Sequence, residues 1–427
     1  VRRSGRHALD ARVGFGEVLA VDEYRALFVA QCFSVLGDRI AAIALAVLVF
    51  DRSHSPLLAA AVYAATYLPY VVASPVLSAL ADRMSRRGLM LAADGARALL
   101  TAAMVTTHLS VAVLYVLFFL VTCLNPGFDA ARSALLPSVL SGERYVVGYQ
   151  LSQVVNQCSY PLGFLIGGVA LAFVTPRTCL AVDAATFVIS GLLIWRGVRR
   201  HQPPRITGGP DRGLFGGFTL VARSPLLRRL ITSASVLAAV TVVPEGLAIT
   251  QAHQLHGGSV ITGVLTAATP AGTFASFLLA GRLVPIIHQL DRFRAWAPIG
   301  VLFFALPLLA HSLPLTVVSW AVGGTASCYQ LPASSLAVTT TPDSHRGRVL
   351  GVAQVGLMTA QGLALLLGGA LADHIHVADV VALFGAGGAV ILVALCWYRW
   401  PTPDSPAMRA PDNITNQDIR VVGAPTL

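Results

Sequence analysis

The chain has no lysine: all 30 of its basic residues are arginine. That absence excludes a Walker A loop, whose lysine reaches nucleotide phosphates, and it excludes Schiff-base chemistry. ATP hydrolysis by the P-loop route is therefore ruled out. Charge is scarce too: 12% of the 427 residues are charged, about half the share usual in soluble domains. The six cysteines, Cys32, Cys123, Cys158, Cys179, Cys328 and Cys396, form no C-x-x-C pair. Scattered through apolar stretches, they read as small apolar fillers, not as a metal site or disulfide framework. No clustered His, Cys or Ser motif suggests catalysis, and no cofactor or metal is expected. His374 and His376 fall on a short expected loop and read as solvated. The first 25 residues lack an apolar core, so the first span is expected to serve as the insertion signal.

What remains is apolar. Hydrophobic residues make up 55% of the chain. Twelve runs are long enough to cross a bilayer, which takes ~20 helical residues: 26–50, 57–81, 88–108, 111–131, 146–173, 179–198, 229–251, 259–281, 296–312, 315–338, 349–372 and 377–398. Backbone groups cannot stay unpaired in lipid, so the runs are expected to be helices and the fold class all-α. A segment rich in Pro, Gly and Arg, 199–228, divides them six and six. Segments 1–25 and 399–427 flank the two bundles, 26–198 and 229–398. Weak internal symmetry supports the division. Leu80-Ala81-Asp82-Arg83 corresponds to Ala280-Gly281-Arg282-Leu283, and Gly167-Gly168-Val169-Ala170-Leu171 corresponds to Gly368-Gly369-Ala370-Leu371-Ala372. Residues 216–229 are expected to form an amphipathic helix on the membrane surface.

A net charge of +10 would suggest nucleic acid in a soluble protein, but here its placement decides otherwise. With the N-terminus inside, 26 arginines fall on or beside cytoplasmic segments. Only Arg52 and Arg177 lie on the opposite side, and Arg39 and Arg97 lie within spans. This is the positive-inside asymmetry, and it puts both termini in the cytoplasm. Asn413-Ile414-Thr415, a glycosylation pattern, then falls in the cytoplasmic tail and reads as chance.

Between the second and third runs lies Ser78-Ala79-Leu80-Ala81-Asp82-Arg83-Met84-Ser85-Arg86-Arg87. It resembles motif A of the major facilitator superfamily, G-x-x-x-D-R-x-G-[RK]-[RK]. Asp82, Arg83, Arg86 and Arg87 stand on the charged positions, and Ser78 and Ser85 replace glycines. Further stretches resemble the drug-exporter group that includes the macrolide efflux proteins: Leu36-Gly37-Asp38, Asp94 with Arg97, Asp183-Ala184-Ala185-Thr186-Phe187, and Pro342 with Arg346-Gly347-Arg348-Val349. The resemblance implies two pseudo-symmetric six-helix bundles with the substrate site between them. It implies an inner charge latch of Asp82, Arg83, Arg86, Arg87, Asp94, Arg97, Arg346 and Arg348 that ties the halves together while the protein faces outward. The same arginines could instead serve only to anchor the loop inside. Two departures stand out. Gly163-Phe164-Leu165-Ile166-Gly167-Gly168 lacks the proline of antiporter motif C, and the fourth span lacks the central arginine of motif B. Proton antiport is implied by the resemblance alone.

Ionisable groups near the bilayer centre cost ~3 kcal/mol on insertion scales and are functional by default. Asp38 lies mid-span and shares a helix face with Gln31 and Ser34. Arg39, next in sequence, is expected to point elsewhere. Glu245, after Pro244 in the seventh run, is the second candidate for proton and substrate coupling, and Asp183, expected in the outer third of the sixth, is the third. The alternative is that these acids form buried ion pairs with Arg39 or Arg97. Uncharged stripes could line a cavity: Tyr63, Tyr67 and Tyr70; Gln150, Gln153, Gln157 and Tyr160; Gln354 and Gln361. Rings with scattered amides suit a large amphipathic solute, including a cationic one, although interhelical packing would explain them equally.

The function expected is export of small amphipathic molecules across a bacterial cytoplasmic membrane by a monomer whose partners are the solute, protons and the bilayer. The rivals are an uptake or lipid-moving carrier on the same fold, and a membrane-embedded enzyme or sensor.

Overall fold

The computed structural model describes residues 14–83, 85–106, 109–199, 214–283, 286–341 and 343–397, and every regular element among them is helical. A short α1 (Phe15–Leu19) precedes six long helices: α2 (Asp22–Ser53), α3 (Pro56–Arg83), α4 (Arg86–Met104), α5 (Val111–Val139), α6 (Glu143–Ala170) and α7 (Pro176–Gly197). After α8 (Leu214–Arg223) come α9 (Pro225–Gln254), α10 (Ser259–Leu283) and α11 (Ile286–Leu302), the last ending in a 3₁₀ stretch, Phe303–Leu308. Next, α12 (Leu313–Gly324) runs through a 3₁₀ turn, Thr325–Tyr329, into α13 (Gln330–Thr339). The described chain closes with α14 (Asp343–Ala372) and α15 (Val377–Trp397).

Among the described residues seven helices, α2, α5, α7, α9, α10, α14 and α15, are long and apolar enough to cross a membrane. Their ends follow local chemistry. Ser85, Ser110, Thr175 and Ser224 stand before α4, α5, α7 and α9 and accept hydrogen bonds from the first-turn amides of Gly88, Val113, Thr178 and Leu227. Such caps satisfy donors that have no partner within the helix. Pro176 and Pro225 occupy the first helical turns, where no backbone donor is missed.

Several boundaries differ from expectation, two of them at α8 and α11. The amphipathic helix is α8 and stops at Arg223, because the Ser224 cap and Pro225 start α9 four residues before the expected Arg229. The ninth segment starts at Ile286 rather than at 296, since the helix carries Arg292 and Arg294 beyond the apolar run.

Within the N-terminal half, α2 packs on α6 and α7, and α4 on α5 and α7; in the C-terminal half, α9 packs on α10, α14 and α15. Between the halves the seams are α3 with α14 and α6 with α10. One apolar core joins both halves through Leu45, Tyr63, Phe164, Leu247 and Leu365. At the arginine-poor ends the halves touch. The Asp373 carboxylate accepts hydrogen bonds from Ser55 Oγ (3.2 Å) and the Leu57 amide (3.3 Å), and Gly168 meets Gly263 backbone to backbone. Gly369 lies against Leu57 and Ala60 in the same way. At the arginine-rich ends the halves part around a cavity.

Candidate functional site

The polar face of α2 organises the membrane interior. Gln31 Nε2 donates to the Ser152 carbonyl (3.2 Å) and to Asn156 Oδ1 (3.0 Å) on α6, and its Oε1 accepts from Arg132 of α5. Ser34 Oγ accepts from Arg97 Nη1 at 3.5 Å. Arg97 is 2% exposed and its ion-pair partner Asp94 is 1% exposed. Arg97 also donates to Asn125 Oδ1 (2.9 Å) and lies 4.6 Å from the rings of both Phe128 and Phe187. Ser190 Oγ donates to Asp94 Oδ2 at 2.7 Å. The pair thus braces α2, α4, α5 and α7 together, with each charge given hydrogen bonds, as burial demands.

Asp38 sits one turn beyond Ser34. Its charged neighbours are Arg97, Arg39, Asp129 and Asp94. Beside it, Gly37 lets α7 approach so closely that an added Cβ would collide with Asp183 Oδ1 and Thr186 Oγ1. That approach sets Asp183 next to Asp38, and both acids line one cavity of about 70 Å³. Asp183 is 2% exposed and accepts from Thr186 Oγ1 at 3.3 Å. It is therefore a buried neighbour of Asp38, a proximity that its expected place in the outer third of the sixth span did not disclose. The cause is physical: Gly37 offers no side chain to hold α7 away.

Arg39 departs from the expectation that it points elsewhere. Its guanidinium lies 3.5 Å over the Tyr160 ring and lines the same cavities as Asp38. Adjacent residues on a helix point about 100° apart, but this long side chain folds back across Gly163, which has no side chain to obstruct it. Arg39 is also the charge acting on Glu245. Glu245, 5% exposed, lines a cavity of about 200 Å³ with Tyr67, Gln157, Tyr160 and Gln361. Pro244 before it removes a backbone donor from mid-helix.

The stripes face cavities with one exception. Tyr67 and Tyr70 line the space around Asp38, and Tyr70 donates to Asp129 Oδ2 at 3.1 Å. Gln31, Ser34, Gln153, Gln157, Tyr160 and Gln354 line a cavity of about 290 Å³ with Asp38 and Arg97. Gln150, Gln153, Gln157 and Gln354 line a large cavity, about 1050 Å³, between the halves. Tyr63 differs: it is 1% exposed and packs edge-on against Phe164 at 6.0 Å, where the halves have closed.

Of the expected latch, the Asp82 and Arg83 side chains lie outside the described residues, as does Pro342 of the exporter-group resemblance. Arg86 Nη1 donates to the Ala134 carbonyl (2.5 Å) and Ser138 Oγ (3.1 Å), and Arg87 donates to the Trp195 carbonyl. Arg346 Nε donates to the carbonyls of Val338 (3.0 Å) and Thr341 (3.2 Å), and Arg348 is half-buried further along α14. Each of these hydrogen bonds stays within one half.

Sequence reasoning missed Asn125, Asp129, Arg132 and Asn156. The first three follow i, i+4, i+7 spacing, a readable signal: Asn125 and Asp129 lie inside the expected fourth span, and Arg132 lies just past its end on an α5 that continues to Val139.

The chain matches the transmembrane secretion effector family over residues 17–422. It is 28% identical to the multidrug efflux pump Tap of Mycolicibacterium fortuitum, covering 79% of this chain and 86% of Tap. It is 24% identical to the MFS-type transporter YfiS of Bacillus subtilis (86% and 91% covered) and 26% identical to the enterobactin exporter EntS of Shigella flexneri (89% and 94%). In fold it resembles a bacterial homologue of the human lysosomal transporter Spinster in an inward-facing, occupied conformation, with a TM-score of 0.69 at 13% identity (88% and 94% covered). The nucleoside transporter NupG gives 0.68 at 12% (88% and 97%). The chain belongs to the transmembrane secretion effector family of major facilitator transporters, multi-pass proteins of the cell membrane that carry solutes and are not enzymes.

Proposed function

We propose that this transporter exports small amphipathic molecules of antibiotic or natural-product type, by proton antiport with alternating access. The observation that carries the reading is the meeting of three carboxylates, Asp38, Asp183 and Glu245, around Arg39 beside a large cavity between the halves. A carboxylate there can take a proton from one side and release it to the other, while the cavity holds the solute. Twelve crossings with cytoplasmic termini, bundles at 26–198 and 229–398 and a monomeric unit complete the reading. With the arginine-rich ends inside, closure at Asp373 and Gly168 supports reading this as the inward-facing state. The relatives Tap and EntS, both named as efflux proteins, support the export direction.

The test is accumulation of a labelled drug panel in an exporter-deficient host, with and without an uncoupler. Export should lower accumulation, and the uncoupler should abolish the difference. Asp38→Asn and Glu245→Gln should still bind solute but lose solute-induced proton release in detergent and gradient-driven export. Unchanged export in both single variants and the double variant would refute these proton carriers. Equal accumulation with and without the protein would instead favour uptake or lipid movement.

A further inference from the structure

Charge is partitioned in this membrane interior. The cavities around the polar face of α2 are walled by Asp38, Arg39, Arg97, Asp129, Arg132 and Asp183, with Met358 of α14 on their far side. The cavity of about 1050 Å³ between the halves has no Asp, Glu, Arg or His among the described residues of its wall. Its polar groups are mainly amides. Gln150, Gln153 and Gln157 stand at i, i+3, i+7 on one face of α6, and Gln330 and Gln354 stand on α13 and α14. Leu, Phe and Ala side chains fill the space between them, Phe277 and Leu331 among them.

Among the described residues no hydrogen bond engages the side chains of Gln150, Gln157, Gln330 or Gln354, and Gln153 only accepts from Asn156 at a long 3.5 Å. A primary amide offers two donors and a carbonyl acceptor. These amides are open to the cavity, where a ligand can supply the partners that no neighbouring side chain does. A cation placed there would find no carboxylate in the described wall; the cavities that share its glutamines hold Asp38 and Asp129 beside Arg39, Arg97 and Arg132, or Glu245 facing Arg39, so those acids already have arginine partners. A desolvated charge without a partner is costly, whereas carbonyl, ether and hydroxyl oxygens are matched by amide donors.

We infer that the solute held in this cavity is an uncharged, oxygen-rich amphiphile, an apolar scaffold bearing several carbonyl or hydroxyl groups, recognised by the glutamines of α6, α13 and α14. The inference rests on the proposed export reading and narrows its substrate class. It also departs from the sequence expectation that a cationic solute would suit the site.

The experiment uses the full chain in nanodiscs, with empty nanodiscs correcting for partition into lipid. Two fluorescent probes share a nitrobenzoxadiazole-dodecyl body; one carries a neutral N-methylglucamide head and the other a trimethylammonium head. The neutral probe should bind at least about tenfold more tightly, each lost amide contact costing about fivefold. Gln153→Leu with Gln157→Leu should weaken the neutral probe by about 25-fold and leave the cationic one unmoved. Gln150→Glu, which adds a carboxylate to the wall, should raise affinity for the cationic probe, and it decides the matter if the double variant does not fold. Equal or tighter binding of the cation by the parent protein would overturn the inference. So would unchanged neutral binding in a folded double variant, or no gain of cation affinity in Gln150→Glu. Equilibrium binding needs no gradient, so failure of the export reading would appear separately, as intact selectivity without driven transport.

Discussion

Replacing Gly168 by alanine should push the closed end of the protein open. The glycine lies where α6 crosses α10, and an added Cβ would stand 2.8 Å from both the Gly263 amide nitrogen and the Ser259 carbonyl oxygen. The reciprocal position gives the same result: a Cβ on Gly263 would lie 2.7 Å from Gly168 Cα and 2.9 Å from the Phe164 carbonyl oxygen. Ordinary contact is 3.4–4 Å, and all these neighbours are backbone, which cannot rotate away. The helices must part by about 1 Å, forfeiting part of the dispersion well along the seam. Overpacking of this kind costs ~1–3 kcal/mol, and each 1.4 kcal/mol changes a conformer ratio tenfold. Because the strain exists only while the halves are closed at this end, the variant should favour the opposite state. Pairs of spin labels at Phe173 and Ile375, exposed sites beyond α6 and α14 on opposite halves, report the change as a longer distance population. Gly387→Ala, whose Cβ meets nothing within 4 Å, is the control and should leave the distribution alone. An unchanged distribution in Gly168→Ala, with the protein folded, would refute the argument.

Asp94→Asn should lower stability by ~3–5 kcal/mol because it strands the Arg97 guanidinium in a buried site. The double variant Asp94→Leu with Arg97→Met should lose less than the single, read as thermal midpoints in detergent; a larger loss would show that the pair is not coupled. Tyr24→Phe removes a buried hydroxyl that donates to the Gly148 carbonyl at 2.8 Å, and a loss of about 1 kcal/mol is expected. Hydrogen exchange at the start of α6 should speed up accordingly, and unaltered exchange would count against the contact. Asp82→Asn keeps the size of the side chain and removes its charge, so transport should fall sharply while membrane expression holds. Normal transport would remove Asp82 from the mechanism.

The helical architecture was legible because lipid leaves the chain few choices: apolar runs of spanning length had to be helices. The cavity stripes were legible for a related reason, since glutamines and tyrosines recurring at helical spacing in apolar runs need a polar surface to face. What could not be read was distance between helices. The side-by-side placement of Asp38 and Asp183 depends on Gly37 meeting Thr186, a contact between residues far apart in the chain. The direction of Arg39 depends likewise on Gly163 of another helix. Tyr63 shares a face with Tyr67 and Tyr70, but it falls where the seams have closed, and periodicity carries no information about depth along a seam. Arg132 was missed because the run was ended where apolarity stopped, although the helix continued; Asp129 lay inside the run and was passed over.

The arginine brace has an electrical consequence. Asp38, Asp94, Asp129, Asp183 and Glu245 share this interior with Arg39, Arg97 and Arg132. With every group ionised the acids outnumber the arginines by two, and arginine does not give up its proton in a protein. Two bound protons would bring the cluster to neutrality, and a third would make it positive. The membrane voltage, ~2.3 kcal/mol per charge per 100 mV, would then pull on the unloaded cluster and have no grip on the doubly loaded one.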